Sequence, residues 1–221
     1  IVTIDKFDYD HANRLLKQRQ QIDGGPVEMI VYNTYDGIGQ LAEKKVGRTK
    51  ADALQEVDYT YNVRGWLKTI NQDAEDDNDL FDFGIKYNDP TSGTPLFNGN
   101  ISQTNWSTAN VNNTGNLVSN TYTYTYDPLN RIIGAKDNTG NYNLGGYDGS
   151  GNLTNPVTYD KNGNIRKLKR KGHTNTGATS FGVMDDLTYS YDIGNKLTKV
   201  EDGATIDGFG FKDDAVNTTP D

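Results

Sequence analysis

Residues 121–126 read TYTYTY, an unbroken alternation of threonine and tyrosine. The pattern stops at Asp127-Pro128 before apolar positions resume at Ile132 and Ile133. A period of two sets the tyrosines on one face of an extended strand and the threonines on the other. The abrupt stop predicts that the chain reverses there. The opening stretch IVTIDKFDYD also reads as a strand. Further strands are predicted near 80–88 and 98–107, with the Pro- and Gly-containing segment between them as a turn. Residues 108–119 read as a loop, and 49–56 holds at most one helical turn.

The reversal after Tyr126 is one copy of a repeat. With Tyr126 in the first slot, Asp127 is second, Asn130 fifth and Ile132 seventh. The same frame starts at Tyr9, Tyr35, Tyr61, Tyr147, Tyr159 and Tyr191, always with Asp or Asn second and Leu or Ile seventh. The fifth slot holds Asn13, Gly39, Gly65, Asn130, Gly151, Gly163 and Asn195, and no other residue type. Gly and Asn tolerate positive φ best, which suits a three-residue hairpin loop that ends in a left-handed residue. The second-slot carboxylate accepts hydrogen bonds from loop amides, and Pro128 suits the first loop position.

A register follows. The second slot faces the sixth, and tyrosine faces Leu or Ile across the hairpin, as Tyr126 with Ile132, a pair worth roughly 0.2–1 kcal/mol. On the other face Asp10 meets Arg14, Asp127 meets Arg131 and Asp192 meets Lys196, exposed ion pairs that favour the register more than stability. Phe7, Tyr59, Tyr124 and Tyr189 sit two residues before a repeat tyrosine and share its face. Tyr32 is three residues before Tyr35; either a β-bulge restores it to that face, or it points away.

Composition narrows the picture. Hydrophobic residues make up 33% of the 221, with 24 Gly, 14 Tyr, 7 Phe and 2 Trp, which suits short strands around an aromatic, partly polar interior. A net charge of −8 argues against nucleic acid and anionic membranes as partners. No apolar run approaches the ~20 residues that span a bilayer, so membrane insertion is not expected. The run RKLKRK, residues 166–171, reads as the solvated face of an edge strand. With 0 Cys there is no disulfide framework, thiolate site or cysteine nucleophile.

The seven copies, several with a flanking YTY-like stretch, resemble the YD repeat of RHS proteins: bacterial polymorphic toxins, the C component of insecticidal Tc toxin complexes, wall-associated proteins and teneurins. The block LFNGNIS with the following Trp106 is also similar to RHS-type proteins of bacterial cell surfaces. The resemblance implies an all-β fold of antiparallel β-hairpin repeats forming part of a spiralling β-sheet shell, or cocoon. In that family the shell encloses a C-terminal effector or an internalised tail. On this reading residues 1–70 carry three repeats, 71–120 an acidic loop and an interposed strand block, 121–200 four repeats, and 201–221 a trailing segment, all one continuous shell segment. The chain shows neither an export signal at its start nor a core segment of the DPxGR type, so self-cleavage is not carried over and a piece of a larger shell is expected.

Catalytic chemistry is sparse. His11 lies in a repeat loop and His173 in a second expected loop, neither in metal-ligand spacing. The acids from Asp73 to Asp79 and the DKNGN at Asp160 look superficially like calcium ligands, but the first lacks the EF-hand pattern and the second is explained by the turn. Asn-x-Ser/Thr triplets arise readily in so Asn-rich a chain. Two functional expectations result. The first is a non-enzymatic wall of an exported protein, secreted or at the cell surface, without cofactor or metal. Its partners would be the rest of its own polypeptide, an encapsulated effector and a secretion machine, type IX among the options. The second is a surface module in which Trp66 and Trp106 stack on a glycan or grip a neighbouring protein.

Overall fold

The structure, a computed structural model, describes residues 1–72, 79–108, 118–205 and 208–212. Among them there is no helix. The strands are β1 (Thr3–Tyr9), β2 (Leu15–Ile22), β3 (Val27–Tyr35), β4 (Leu41–Val46), β5 (Gln55–Tyr61), β6 (Leu67–Ile70), β7 (Phe81–Lys86), β8 (Gln103–Thr108) and β9 (Val118–Tyr126). They continue as β10 (Ile132–Asp137), β11 (Asn143–Leu144), β12 (Gly146–Tyr147), β13 (Leu153–Asn155), β14 (Thr158–Tyr159), β15 (Ile165–His173), β16 (Phe181–Tyr191) and β17 (Leu197–Asp202). The fold is all-β, and every strand pairing whose register is resolved is antiparallel.

Two compact units divide the chain: residues 1–86 with 104–119, and residues 87–103 with 120–221. In the first, β1 to β8 lie side by side in chain order, and β1 pairs on one side only. All of β1 is exposed, with Ile4 at 45% and Phe7 at 47%. In the second, the order is β9-β10-β11-β15-β16-β17, β14 also pairs with β15, and β12-β13 form a separate two-stranded sheet. Among the described residues, β17 is the last strand in that order and pairs only with β16.

The interior is thin, as the low apolar content requires. Met29 and Val31 are the buried apolar side chains of the first unit; Ala135, Val157, Met184 and Leu187 are those of the second. Polar groups fill much of the rest and bond internally. Buried Ser102 donates to the Thr94 carbonyl at 2.7 Å, and buried Gln103 accepts from the Thr91 amide at 2.7 Å. Such bonding removes most of the desolvation cost that an unpaired buried polar group would carry.

Several local expectations change. The basic run does not lie on an edge. It occupies β15, which has β11 and β14 on one side and β16 on the other. Lys169 faces Asp186 and Arg170 faces Asp185 across the β15–β16 pair, so opposite charges on the neighbouring strand hold the run inside the sheet. His173 is the last residue of that strand rather than part of a loop, with its ring against Tyr142 and Phe209. The strand expected at 98–107 begins only at Gln103. The expected loop at 108–119 gives way to β9 at Val118, while its residues 109–117 lie outside the described residues, as do 73–78 of the acidic stretch.

Candidate functional site

All seven repeat hairpins share one backbone geometry. The fifth-slot amide donates to the second-slot carbonyl at 2.9–3.2 Å, and the second-slot amide donates to the sixth-slot carbonyl at 2.9–3.0 Å. The second-slot side-chain oxygen accepts from the fourth- and sixth-slot amides at 2.8–3.0 Å in every copy. Asn13, Asn130 and Asn195 have φ of 64°, 62° and 63°; Gly39, Gly65, Gly151 and Gly163 have 89°, 78°, 83° and 90°. The tyrosine of each copy pairs with its own Leu or Ile, Tyr9 with Leu15 through Tyr191 with Leu197.

A bulge follows each turn. Tyr9 pairs with Leu15, but Asp8 pairs with Lys17, so Leu16 is left over. The eighth slot is skipped in the other six hairpins as well, at Ala42, Lys68, Ile133, Thr154, Arg166 and Thr198. One extra residue at the same place bends the outgoing strand and increases its local twist each time. Between Tyr32 and Tyr35 the extra residue lies on β4, at Ala42, and β3 itself runs on without one. Tyr32 therefore points to the opposite face, where the Lys50 ammonium lies 4.2 Å from its ring centroid and donates to its hydroxyl.

The tyrosine hydroxyls join successive hairpins. Tyr35 donates to the Leu15 carbonyl and Tyr61 to the Leu41 carbonyl, both at 3.0 Å, in the first unit. In the second unit Tyr126 donates to Ile101 at 2.9 Å, Tyr159 to Ile132 at 2.6 Å and Tyr191 to Ile165 at 3.0 Å. Apart from Ile101, each acceptor is the seventh slot of the preceding hairpin in the sheet. Burial raises the pKa of Tyr61, Tyr126 and Tyr159, which keeps the donating hydroxyl protonated.

Ile101 reveals an eighth, incomplete turn. Gly99-Asn100-Ile101 repeats the fifth to seventh slots of Gly163-Asn164-Ile165, and Gly99 has φ 98°. Asn98 and Asn100 donate to Asn130 Oδ1 at 2.7 and 3.1 Å, as Asn162 and Asn164 donate to Asn195 Oδ1 at 2.7 and 2.9 Å. The short string GNI was the signal; without a leading tyrosine the seven-slot frame passed over it.

The sixth slot also links neighbours. Arg14 and Arg131 pair with Asp10 and Asp127 of their own turns, and each guanidinium lies over the next ladder tyrosine, 4.6 Å from the Tyr35 centroid and 4.5 Å from that of Tyr159. The Arg14 amide and then its guanidinium lower the pKa of Asp10. Burial pushes Asp127 upward, but the amide and guanidinium of Arg131 outweigh it and lower its pKa. Asn152 and Asn164 do the same for Asp148 and Asp160 through their side-chain amides and backbone. Asp192 differs from the expected ion pair: among the described residues it accepts only amide hydrogens from its loop, and no salt bridge joins it to Lys196.

Two repeat tyrosines stand outside this ladder. Tyr9 belongs to the first hairpin and is 55% exposed. Tyr147 lies in the hairpin that leaves the main sheet, and its buried hydroxyl has no partner among the described residues. Trp66 and Trp106 are both half-buried in the first unit, and the Arg64 guanidinium lies 5.1 Å from the Trp66 ring centroid. His11 is exposed in its turn. Glu43, Glu56 and Asp58 bring three carboxylates together, with Lys45 bonded to both glutamates.

No family model and no curated protein matches the sequence. Among solved structures, the chain is similar to one in the crystal structure of TcdB2-TccC3-Cdc42, with TM-score 0.51 and 17% identity over 97% of this chain and 12% of that one. A chain in the crystal structure of TcdB2-TccC3-TEV is 16% identical over 92% of this chain and 13% of that one, with TM-score 0.31. The first likeness is one of fold, and the chain spans about an eighth of the solved chain it matches.

Proposed function

We propose that this chain is wall: a non-enzymatic segment of the β-shell of an exported RHS-type protein, which encloses or displays a passenger carried elsewhere in the parent polypeptide. The observation that carries the reading is the tyrosine–carbonyl ladder. Five of the seven repeat hydroxyls tie their hairpin to the turn before it in the sheet, and a bulge at the same slot bends all seven hairpins. Such a device propagates a curved sheet by repetition and asks nothing of catalytic side chains. The fold likeness to a chain of the TcdB2-TccC3-Cdc42 structure and the sequence resemblance to RHS proteins both support it.

Both outer strands offer the contacts that join one hairpin to the next. At β1 the Tyr9 hydroxyl has no partner among the described residues, and at β17 the Leu197 carbonyl occupies the acceptor place used by Ile165 one hairpin earlier. Further hairpins of the same parent chain would complete both contacts and remove exposed strand edges. Secretion or surface display belongs to the same proposal. Electron microscopy of the full-length parent protein tests it: a hollow β-walled particle is expected, and a solid globule would overturn it.

A further inference from the structure

The hairpin that leaves the sheet encloses space. Tyr147 and Tyr159 are only twelve residues apart, too few for a strand to run out and return, and Gly145 (φ 87°) with Gly146 turns β12 away from the sheet. Between this hairpin and strands β10, β11, β15 and β16 lies a cavity of about 520 Å³. That volume falls in the range of small-molecule sites.

Its charge is unusual for so acidic a chain. Lys136, Lys169 and Lys171 reach it from β10 and β15. Lys169 is neutralised by Asp186 at 2.8 Å. Lys171 donates to the Gly140 carbonyl at 2.7 Å, which leaves two of its three N–H groups. Lys136 is half-buried, and its ammonium has no hydrogen-bond or ion-pair partner among the described residues; the Tyr147 ring centroid is 5.8 Å from it. A Cβ on Gly151 would stand 2.2 Å from the Lys136 Nζ, so the ammonium is held against the roof of the cavity. The one carboxylate of the lining, Asp148, is already occupied by the amides of Ser150 and Asn152 and the Asn152 side chain. An anion in the cavity would give the Lys136 ammonium the charge-assisted hydrogen bond that it lacks among the described residues.

The remaining lining is hydroxyls, amides, glycine backbone, Val183 and the Tyr147 ring, with the polar groups spread around the space. A compact dianion such as phosphate would leave most of them without partners. A ring bearing many hydroxyls and one carboxylate would use the dispersed polar groups, the Lys136 ammonium and the two remaining N–H groups of Lys171. We infer that this cavity binds an acidic saccharide, its carboxylate on Lys136 and its hydroxyls on the surrounding amides and hydroxyls.

Titration calorimetry of the full chain with galacturonate, digalacturonate, galactose and inorganic phosphate tests this. Saturable binding of galacturonate is expected, with galactose and phosphate much weaker. Lys136→Gln should weaken it by about tenfold or more while Lys136→Arg retains it, both variants keeping the parent unfolding midpoint. Tighter binding of digalacturonate would identify a polysaccharide end as the source, and equal binding the free acid. Absence of saturation at millimolar galacturonate, unchanged binding by Lys136→Gln, or equal binding of galactose or phosphate would overturn the assignment.

Discussion

The Tyr159 hydroxyl donates to the backbone carbonyl of Ile132 at 2.6 Å, across 27 residues of sequence, and so skips the whole hairpin of Tyr147. Succession in the sheet therefore differs from succession in the chain: the Tyr159 hairpin follows that of Tyr126. The Arg131 guanidinium over the Tyr159 ring and the Val157 amide on the Ile133 carbonyl support the same link, so removing the hydroxyl alone isolates its share. Tyr159→Phe should destabilise the chain by about 1 kcal/mol, the usual net worth of such a bond. Tyr9→Phe, which removes a hydroxyl without a partner, should change stability by well under half of that. Urea unfolding midpoints of the two variants make the comparison.

Gly163 tests the turn without steric complication. Its φ is 90°, and an added Cβ would meet nothing within 4 Å. Any loss in Gly163→Ala therefore comes from the backbone alone, and about 1 kcal/mol is expected. Gly163→Asn should recover much of it, because asparagine already occupies this slot at φ near 63° in Asn195. Thermal denaturation of the three proteins would measure the order Gly, Asn, Ala.

Stability should fall at both ends of the pH scale, for different groups. Burial raises Tyr61, Tyr126 and Tyr159 above their ordinary 10.0. A raised folded pKa means that the stabilisation is complete below about pH 10 and is lost as pH rises through the folded values. Asp10, Asp127, Asp148 and Asp160 are lowered below 3.8. Their contribution is complete above that value and disappears as pH falls through the folded ones. Denaturation followed from pH 2 to 12, with tyrosinate absorbance at the alkaline end, should show a plateau between the two losses.

Asp185 is 1% exposed and accepts from the Arg170 side chain and, at 2.6 Å, from the Phe211 amide. Asp185→Ala leaves both donors without that acceptor. Arg170 keeps about half its side chain in water, which softens the effect. A loss of about 2–3 kcal/mol is expected, near the low end for a broken buried pair. Arg170→Met should cost at least as much as Asp185→Ala, since it leaves a buried carboxylate with the Phe211 amide alone, whereas Arg170 left without Asp185 still reaches water; chemical denaturation of both variants decides.

Turns were legible in the sequence because each depends on one residue's tolerance of positive φ and on an Asp or Asn side-chain oxygen two to four residues from the amides it binds. The all-β class and the pairing of Tyr126 with Ile132 follow from the same local geometry. Nothing local marks the bulge at the eighth slot, since Leu16, Ala42, Lys68, Ile133, Thr154, Arg166 and Thr198 share no chemistry. Nor does the string RKLKRK reveal that Asp185 and Asp186 lie beside it, because strand neighbours are set by the path of the chain. The exit of the Tyr147 hairpin was written only in its spacing to Tyr159, whereas the cavity and the unpaired Lys136 ammonium required β10, β11 and β15 to be assembled. Residue chemistry settles where this backbone can reverse; packing settles which reversed strands become neighbours.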